Sequence, residues 1–418
     1  LYDFGNGDFH AESANGIVKG FYGDGDFYFC SSSRYWAMNT VNMVLVRVND
    51  IGDTLITVNV GELNKQYVPT GLTKTHDNGI AVVSYLTNTT TNIRDYSLIK
   101  VNQNHEVEFS KTYGDTLNSD QALDVIRTFD KGFLMVGQSV FPQNSDAEMY
   151  AVKTDSAGNF EWEQYYGGSN FEAAYSVIQT PDSGYLILGW TQSYGNGQED
   201  FYLVKTDKQG DQQWQKTYGT SQIDVGSGIT KLHDNNYLLS GGGGVNGRLI
   251  KINPQGVAIW QKNYVYPGGT GANFLYWARE LQDYSIVAAG GTNNFSESDA
   301  GWIIKTDSAG ALLWQRKYNK TENVETFYDL IPTDDSGFVL CGQAWNVNNN
   351  SQDAWLLKVD SIGCPYEDCL VGIDEAGSRK VLVDVYPNPA NDVLNLELQE
   401  TEKNYEIEIT DINGVVVY

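Results

Sequence analysis

The chain has little of what most catalytic and membrane-spanning proteins need. Its four histidines, His10, His76, His105 and His233, are not spaced from one another or from a cysteine as metal ligands are, which excludes the common zinc motifs. A Gly-x-Ser-x-Gly nucleophile elbow is absent, and the formal Gly-x-Gly-x-x-Gly at Gly242 to Gly247 leads into a strand rather than a helix, so it is not a dinucleotide site. Bases are scarce, 27 against 53 acids, and the net charge of -26 repels phosphate backbones and excludes nucleic acid as a partner. No apolar run approaches the roughly 20 residues that span a bilayer, so no transmembrane segment is expected. Leu1 is neither an initiator methionine nor part of an apolar signal core, and the chain reads as a processed product.

What the chain does have is glycine, aromatic residues and an internal period. Its 418 residues, 41% of them apolar, can bury a large core and more than one domain. The motif Lys/Arg-x-Asp/Asn, preceded by an apolar run, begins at Arg47, Lys100, Lys153, Lys205, Lys251, Lys305 and Lys358. Successive copies lie 53, 53, 52, 46, 54 and 53 residues apart. Such a period marks a propeller, solenoid or array.

Each copy reads as four short strands, for example 174–180, 185–190, 200–206 and 212–218. An Asp-x-Gly-aromatic turn separates the first two, as in Asp130 to Phe133, Asp182 to Tyr185 and Asp335 to Phe338, and glycine or asparagine is expected to supply its positive φ. Between the third and fourth strands a turn leads into Gly-x-x-x-Trp, at Trp162, Trp214, Trp260 and Trp314, with Ile56 and Phe109 in the ring's place earlier. One large ring at a fixed place per copy suits packing between neighbouring blades. The expected fold is therefore all-β: a seven-bladed β-propeller of four-stranded blades over 1–369. The seventh copy lacks a fourth strand, and Leu1 to Gly5 aligns with the fourth strand of the others. The N-terminal strand is thus expected to pair with 354–359 and close the ring.

Candidate site residues fall into several groups. The loops between second and third strands carry Tyr35, Trp36, Phe141, Trp190, Tyr194, Phe295 and Trp345 among Ser, Asn, Gln and Gly. Such rings stack on sugars, anchor a protein partner, or simply cover the blade tops. Five acids, Glu12, Asp120, Glu172, Asp224 and Glu325, precede the innermost strand at equivalent places. Ringed around a channel they would hold calcium; otherwise they accept hydrogen bonds from backbone amides at the blade links, and no cofactor is assigned. Cys364 and Cys369 bracket a short loop and suit a local disulfide, the alternative being two free thiols, while Cys30 and Cys341 end apolar strands as buried thiols. No catalytic residue is assigned.

After Cys369 the repeat stops. Residues 370–380 read as a linker and 381–418 as alternating strands containing Tyr386, Pro387, Asn388, Pro389 and Ala390, then Asp392, Leu394 and Leu396, and a turn at Asn413 and Gly414. These residues resemble the type A C-terminal sorting domain of the type IX secretion system of Bacteroidetes. The resemblance implies a partial immunoglobulin-like sandwich, export through an outer-membrane translocon, docking on a shuttle barrel, and a location outside the cell, at the surface or outer-membrane exterior. The chain departs from that family by stopping at Tyr418, before the remaining strands and the basic C-terminus. The same bacterial group attaches O-glycans at Asp, Ser/Thr, apolar; Thr54, Thr116, Ser156, Ser308 and Ser361 match, although turn chemistry alone also explains the last three.

The expected function is an exported propeller that binds a glycan or a surface protein through its variable loops. Two readings compete: a secreted glycan-active hydrolase with acids at the channel mouth, and a structural component of an outer-membrane assembly. A carboxylate pair in a cleft favours hydrolysis, and an aromatic patch favours binding.

Overall fold

The computed structural model describes residues 14–365, apart from 22–24, 36–39, 115–116, 142, 144–145, 268–270, 295–296, 319–322 and 347–350, and beyond them 383–386 and 395–398. All its regular elements are strands. The chain divides into two compact units, Leu1–Glu367 and Asp368–Tyr418.

In the first unit the strands form seven successive antiparallel modules, one per repeat. The fourth is typical: Glu172–Gln179, Tyr185–Thr191, Asp200–Thr206 and Gln212–Tyr218 pair in chain order. Its third strand is buried along its whole length, which explains its continuous apolar run, whereas its fourth strand alternates between exposed Gln and Lys and partly covered Trp214. Bridges at Val41–Gln66 and Gly242–Phe274 join modules one and two, and five and six, into eight-stranded sheets. Among the described residues module seven has three strands, Asn323–Pro332, Phe338–Asn346 and Ser351–Val359.

The first strand of every module lies against the first strand of the next, and that of module seven, Asn323–Pro332, lies against Gly16–Lys19 of module one. Ala14 donates its backbone N–H to the Gly342 carbonyl (3.0 Å), and Ala14, Ile17 and Phe29 share one hydrophobic cluster with Val339, Cys341 and Ala354. The arrangement is propeller-like, with sheets around a central cavity. The expected closing strand, Leu1 to Gly5, lies outside the described residues.

The repeat motif has a structural cause. Its Lys or Arg reaches the aspartate of the first turn in all seven modules: Arg47 to Asp26, Lys100 to Asp77, Lys153 to Asp130 (3.0 Å), Lys205 to Asp182 (2.9 Å), Lys251 to Asp234 (2.7 Å), Lys305 to Asp283 (3.9 Å) and Lys358 to Asp335 (2.8 Å). Its Asp or Asn closes the second turn; Asp155 Oδ1, for one, accepts the N–H groups of Ala157 (2.9 Å) and Asn159 (2.8 Å). Both turns of each module are thus fixed by one tripeptide.

The expectation about the first turn holds for asparagine and is corrected for glycine. Asn78 (61°) and Asn235 (65°) do supply the positive φ in two modules, and in three others it falls on the residue before the glycine, at Lys131 (74°), Ser183 (68°) and Ser336 (66°), not on the glycine. The glycine is needed for space: a Cβ on Gly132 or Gly184 would stand 2.1 Å from the carbonyl oxygen of Thr154 or Thr206. The ring of the second turn does sit between modules. Trp162, Trp214, Trp260 and Trp314 pack, partly buried, against four successive hydrophobic clusters. Ile56, Phe109 and the four tryptophans face the motif's basic residue at the same register.

In the second unit, Val383–Tyr386 pairs antiparallel with Asn395–Leu398, setting Tyr386 opposite Asn395. Pro387, Asn388 and Pro389 lie outside the described residues.

Candidate functional site

Two places in the first unit gather chemistry: the central cavity and the loops on one face. The cavity, about 720 Å³, is lined by all seven first strands. Six of these strands carry a β-bulge at one level, which slips Thr70, Leu123, Tyr175, Ser227, Tyr276 and Tyr328 out of register, and each of them lines the cavity. A bulge re-aims an extra side chain, so the fold places a tier of hydroxyls and rings around the cavity.

In three modules the residue after the bulge staples that module to the next. Asp124 Oδ2 accepts the N–H of Val177 (3.0 Å), Ser176 Oγ that of Ile229 (3.3 Å), and Asp329 Oδ2 that of Ile17 (3.3 Å). Burial pushes the Asp124 carboxyl up to about 6, with the Asp329 charge adding to the rise and the two backbone N–H bonds and Arg279 opposing it. Burial raises Asp329 as well, against the pull of Arg279. Arg279 donates to Asp329 Oδ1 (3.2 Å) and to Thr230 Oγ1 (3.4 Å), and its guanidinium lies 4.7 Å from the Trp277 ring centre. These two acids therefore serve an ion-paired, hydrogen-bonded wall.

The five acids singled out in the sequence are placed elsewhere. Glu12 lies outside the described residues. Asp120, Glu172, Asp224 and Glu325 are buried and none lines the cavity. Glu172 accepts from the Gly168 N–H (2.8 Å), the Thr191 hydroxyl (2.6 Å) and the Ser193 N–H (3.1 Å). Asp224 accepts from the Thr220 N–H (2.6 Å) and pairs with Arg248 (2.9 Å). These bonds tie the blade links, because a buried carboxylate must find donors. Among the described residues no group of three or more His, Cys, Asp or Glu is placed to hold a metal. The cavity acids, Asp124 and Asp329, lie four residues after Asp120 and Glu325; a carboxylate set between large apolar neighbours, Leu123 and Val125 or Tyr328 and Leu330, was the signal that could have found them.

The loop rings differ among themselves. Trp345 and Tyr194 are exposed, at 36% and 37%. The Tyr194 hydroxyl donates to the Gly167 carbonyl (2.9 Å), so its ring is held in place across the loop. Trp190 is half-buried and hydrogen-bonds Tyr175, opposing the rise that burial imposes on that phenol, so it links the loop face to the cavity wall. Phe141 is half-buried against Tyr165, with ring centres 5.7 Å apart. Trp36 and Phe295, and the side chain of Tyr35, lie outside the described residues.

The remaining candidates are surface or covalent features. Thr54, Ser156, Ser308 and Ser361 are exposed, and Thr116 lies outside the described residues. Cys364 is disulfide-bonded, and its expected partner, Cys369, is outside the described residues. Cys30 and Cys341 are free and buried; burial pushes the Cys30 thiol up to about 12, which makes it inert.

Comparison with known proteins decides one point. Residues 384–418 match the family model described as the secretion system C-terminal sorting domain. The chain therefore ends in a sorting domain, which implies export by the type IX route and a secreted protein. No curated protein matches the chain. Among solved structures it is similar to a puromycin hydrolase S511A mutant complexed with PGG, at TM-score 0.51 and 9% identity over 91% of this chain and 56% of that one. It is also similar to the BP39L lectin from Burkholderia pseudomallei, at TM-score 0.50 and 8% identity over 85% of this chain and 98% of that one. The β-propeller domain of the Trilobed protease from Pyrococcus furiosus aligns at TM-score 0.43 and 10% identity, over 87% and 99%. At these identities the likeness to the first two is one of fold alone.

Proposed function

We propose that the protein is an exported seven-bladed propeller that binds glycans through its loop face at the cell surface, with the N-terminal residues supplying the fourth strand of the last blade. The observation that carries the binding role is the contrast between faces. On one face each first turn carries an ion pair from the motif's basic residue and each second turn the Asx bonds of its Asp or Asn, whereas the opposite loops differ and present the rings of Tyr194 and Trp345 to solvent. A pre-positioned aromatic beside amides and hydroxyls suits a sugar face, since the ring loses little freedom on binding. The matched sorting domain supports delivery to the outside and contact with the translocon and shuttle barrel.

The hydrolase reading finds less support, because both cavity acids already accept backbone N–H groups and face Arg279. Screening the full chain on a glycan array tests the proposal. Retention of a family of related glycans supports it; retention of none, with a surface protein captured instead, replaces the ligand class.

A further inference from the structure

The first strands end in a ring of residues at one mouth of the cavity, opposite the loop face. The last register pair of each first hairpin places there Lys19, Lys74, Arg127, Gln179, Lys231, Glu280 and Pro332. Four of the seven are cations, in a chain whose net charge is -26. Three of them, Lys19, Lys74 and Arg127, are consecutive around the ring and directly follow the cavity-lining Val18, Thr73 and Ile126, while Lys231 itself lines the cavity.

The cluster is only partly neutralised by its surroundings: Lys19 forms an ion pair with the exposed carboxylate of Asp334. Lys74 donates to the Gly20 carbonyl (2.9 Å) and lies 4.9 Å from the Phe21 ring centre, contacts that hold it without cancelling its charge. Burial lowers its pKa, and the charges of Arg127 and Lys19 lower it further, as expected for cations that repel one another. The one acid of the ring, Glu280, is engaged by His233 through both its backbone N–H (2.6 Å) and its ring (2.9 Å). The aspartates of the neighbouring turns are committed to the motif lysines.

Inward from this mouth the cavity wall carries Thr73 and Thr230 beside Val18, Ile126, Ile178 and Arg279, then Asp124 and Asp329, and then the tyrosine rings at the bulges. From the basic ring to the bulge tier is four residues, about 13 Å at the rise of a strand. A cavity of about 720 Å³ falls in the range of small-ligand sites.

We propose that this mouth and cavity form a second binding site, for the end of a carboxylate-bearing oligosaccharide, with its acidic group at Lys19, Lys74 and Arg127 and its rings among the hydroxyls and tyrosines within. The site is independent of the loop face, and the variants that test each lie at opposite ends of the first unit.

The test is isothermal titration calorimetry of the full chain with trigalacturonate, neutral galactotriose and inorganic phosphate. Trigalacturonate should bind, with affinity falling as salt is raised, and galactotriose should bind at least tenfold more weakly. A Lys74→Gln, Arg127→Gln variant should lose at least tenfold for trigalacturonate, whereas Trp345→Ala should leave that affinity unchanged. Should the double variant fold poorly, the salt dependence of the unaltered protein decides the same question. No binding of trigalacturonate, equal binding of galactotriose, or an unchanged double variant would overturn the proposal. Phosphate binding as tight as the trimer would remove the role of the cavity.

Discussion

The Tyr166 hydroxyl donates a 2.7 Å hydrogen bond to the carbonyl of Gly210, the turn glycine of the next module. Gly210 holds φ at +84°, and a Cβ there would stand 2.7 Å from the Trp162 ring. Tyr113, Tyr218, Tyr264 and Tyr318 repeat the bond to Gly158, Gly256, Gly310 and Gly363. Neighbouring modules are thus clamped by one phenol and one glycine, joined at Gly158, Gly210, Gly256 and Gly310 by the ring of Phe109, Trp162, Trp214 or Trp260. Tyr166→Phe should cost about 1 kcal/mol, the worth of one buried hydrogen bond. Gly210→Ala combines a strained φ with a steric clash and should cost more than about 2 kcal/mol. Chemical denaturation of both variants checks the order.

The first turn makes the reverse prediction for adjacent residues. Ser183 has positive φ and is partly exposed, so Ser183→Gly should relieve strain and leave stability unchanged or raised by about 0.5 kcal/mol. Gly184→Ala, with its Cβ 2.1 Å from the Thr206 oxygen, should lower the melting temperature by several degrees. If Ser183→Gly proves the more damaging of the two, the assignment of strain in this turn is wrong.

Asp124 sets a pH dependence of definite sign. Its carboxyl is raised from 3.8 to about 6, so the folded protein holds that proton more tightly than the unfolded chain does. The corresponding stability is fully present below about pH 4 and is lost as pH rises through about 6. Asp124→Asn removes the titration while Arg279 and Asp329 still face the site. The stability of the natural protein relative to this variant should therefore improve by on the order of 2 to 3 kcal/mol between pH 7.5 and pH 4. A difference that does not vary with pH would show that the carboxyl is not perturbed.

The two units make separable predictions. A chain ending at Leu370, just past the first unit and with Cys369 kept as the expected partner of Cys364, should keep its melting temperature within a few degrees but accumulate inside the producing cell, because the matched sorting residues are gone. Cell fractionation reads the outcome, and secretion of the truncated chain would refute the sorting role.

The modules were legible in the sequence because their cause is local. Lys153, Asp155, Gly158 and Trp162 recur at fixed spacing since each serves a turn or a module junction that repeats. The cavity was not legible for the opposite reason. Asp124, Ser176 and Asp329 act on the backbone of the following module, some 50 residues or more away, and the bulges that present Tyr175 and Tyr276 break the period-2 alternation by which a strand's faces are read. Glu172 and Asp224 showed their periodic place but not their direction, which only the donors around them decide. The phenols of Tyr166 and its equivalents were visible as strand-ending aromatics, yet their partner carbonyls lie in the next copy.

The loop face is the central claim, and binding by a paired variant tests it most directly. Trp345 and Tyr194 are the exposed rings among the described loop candidates, and neither carries a core cluster, so Trp345→Ala with Tyr194→Ala should leave the melting temperature within a few degrees. Titrating the full chain and this variant with the strongest glycan from the array should show at least a tenfold loss of affinity in the variant. Equal affinity in the two proteins, both folded, would contradict the account.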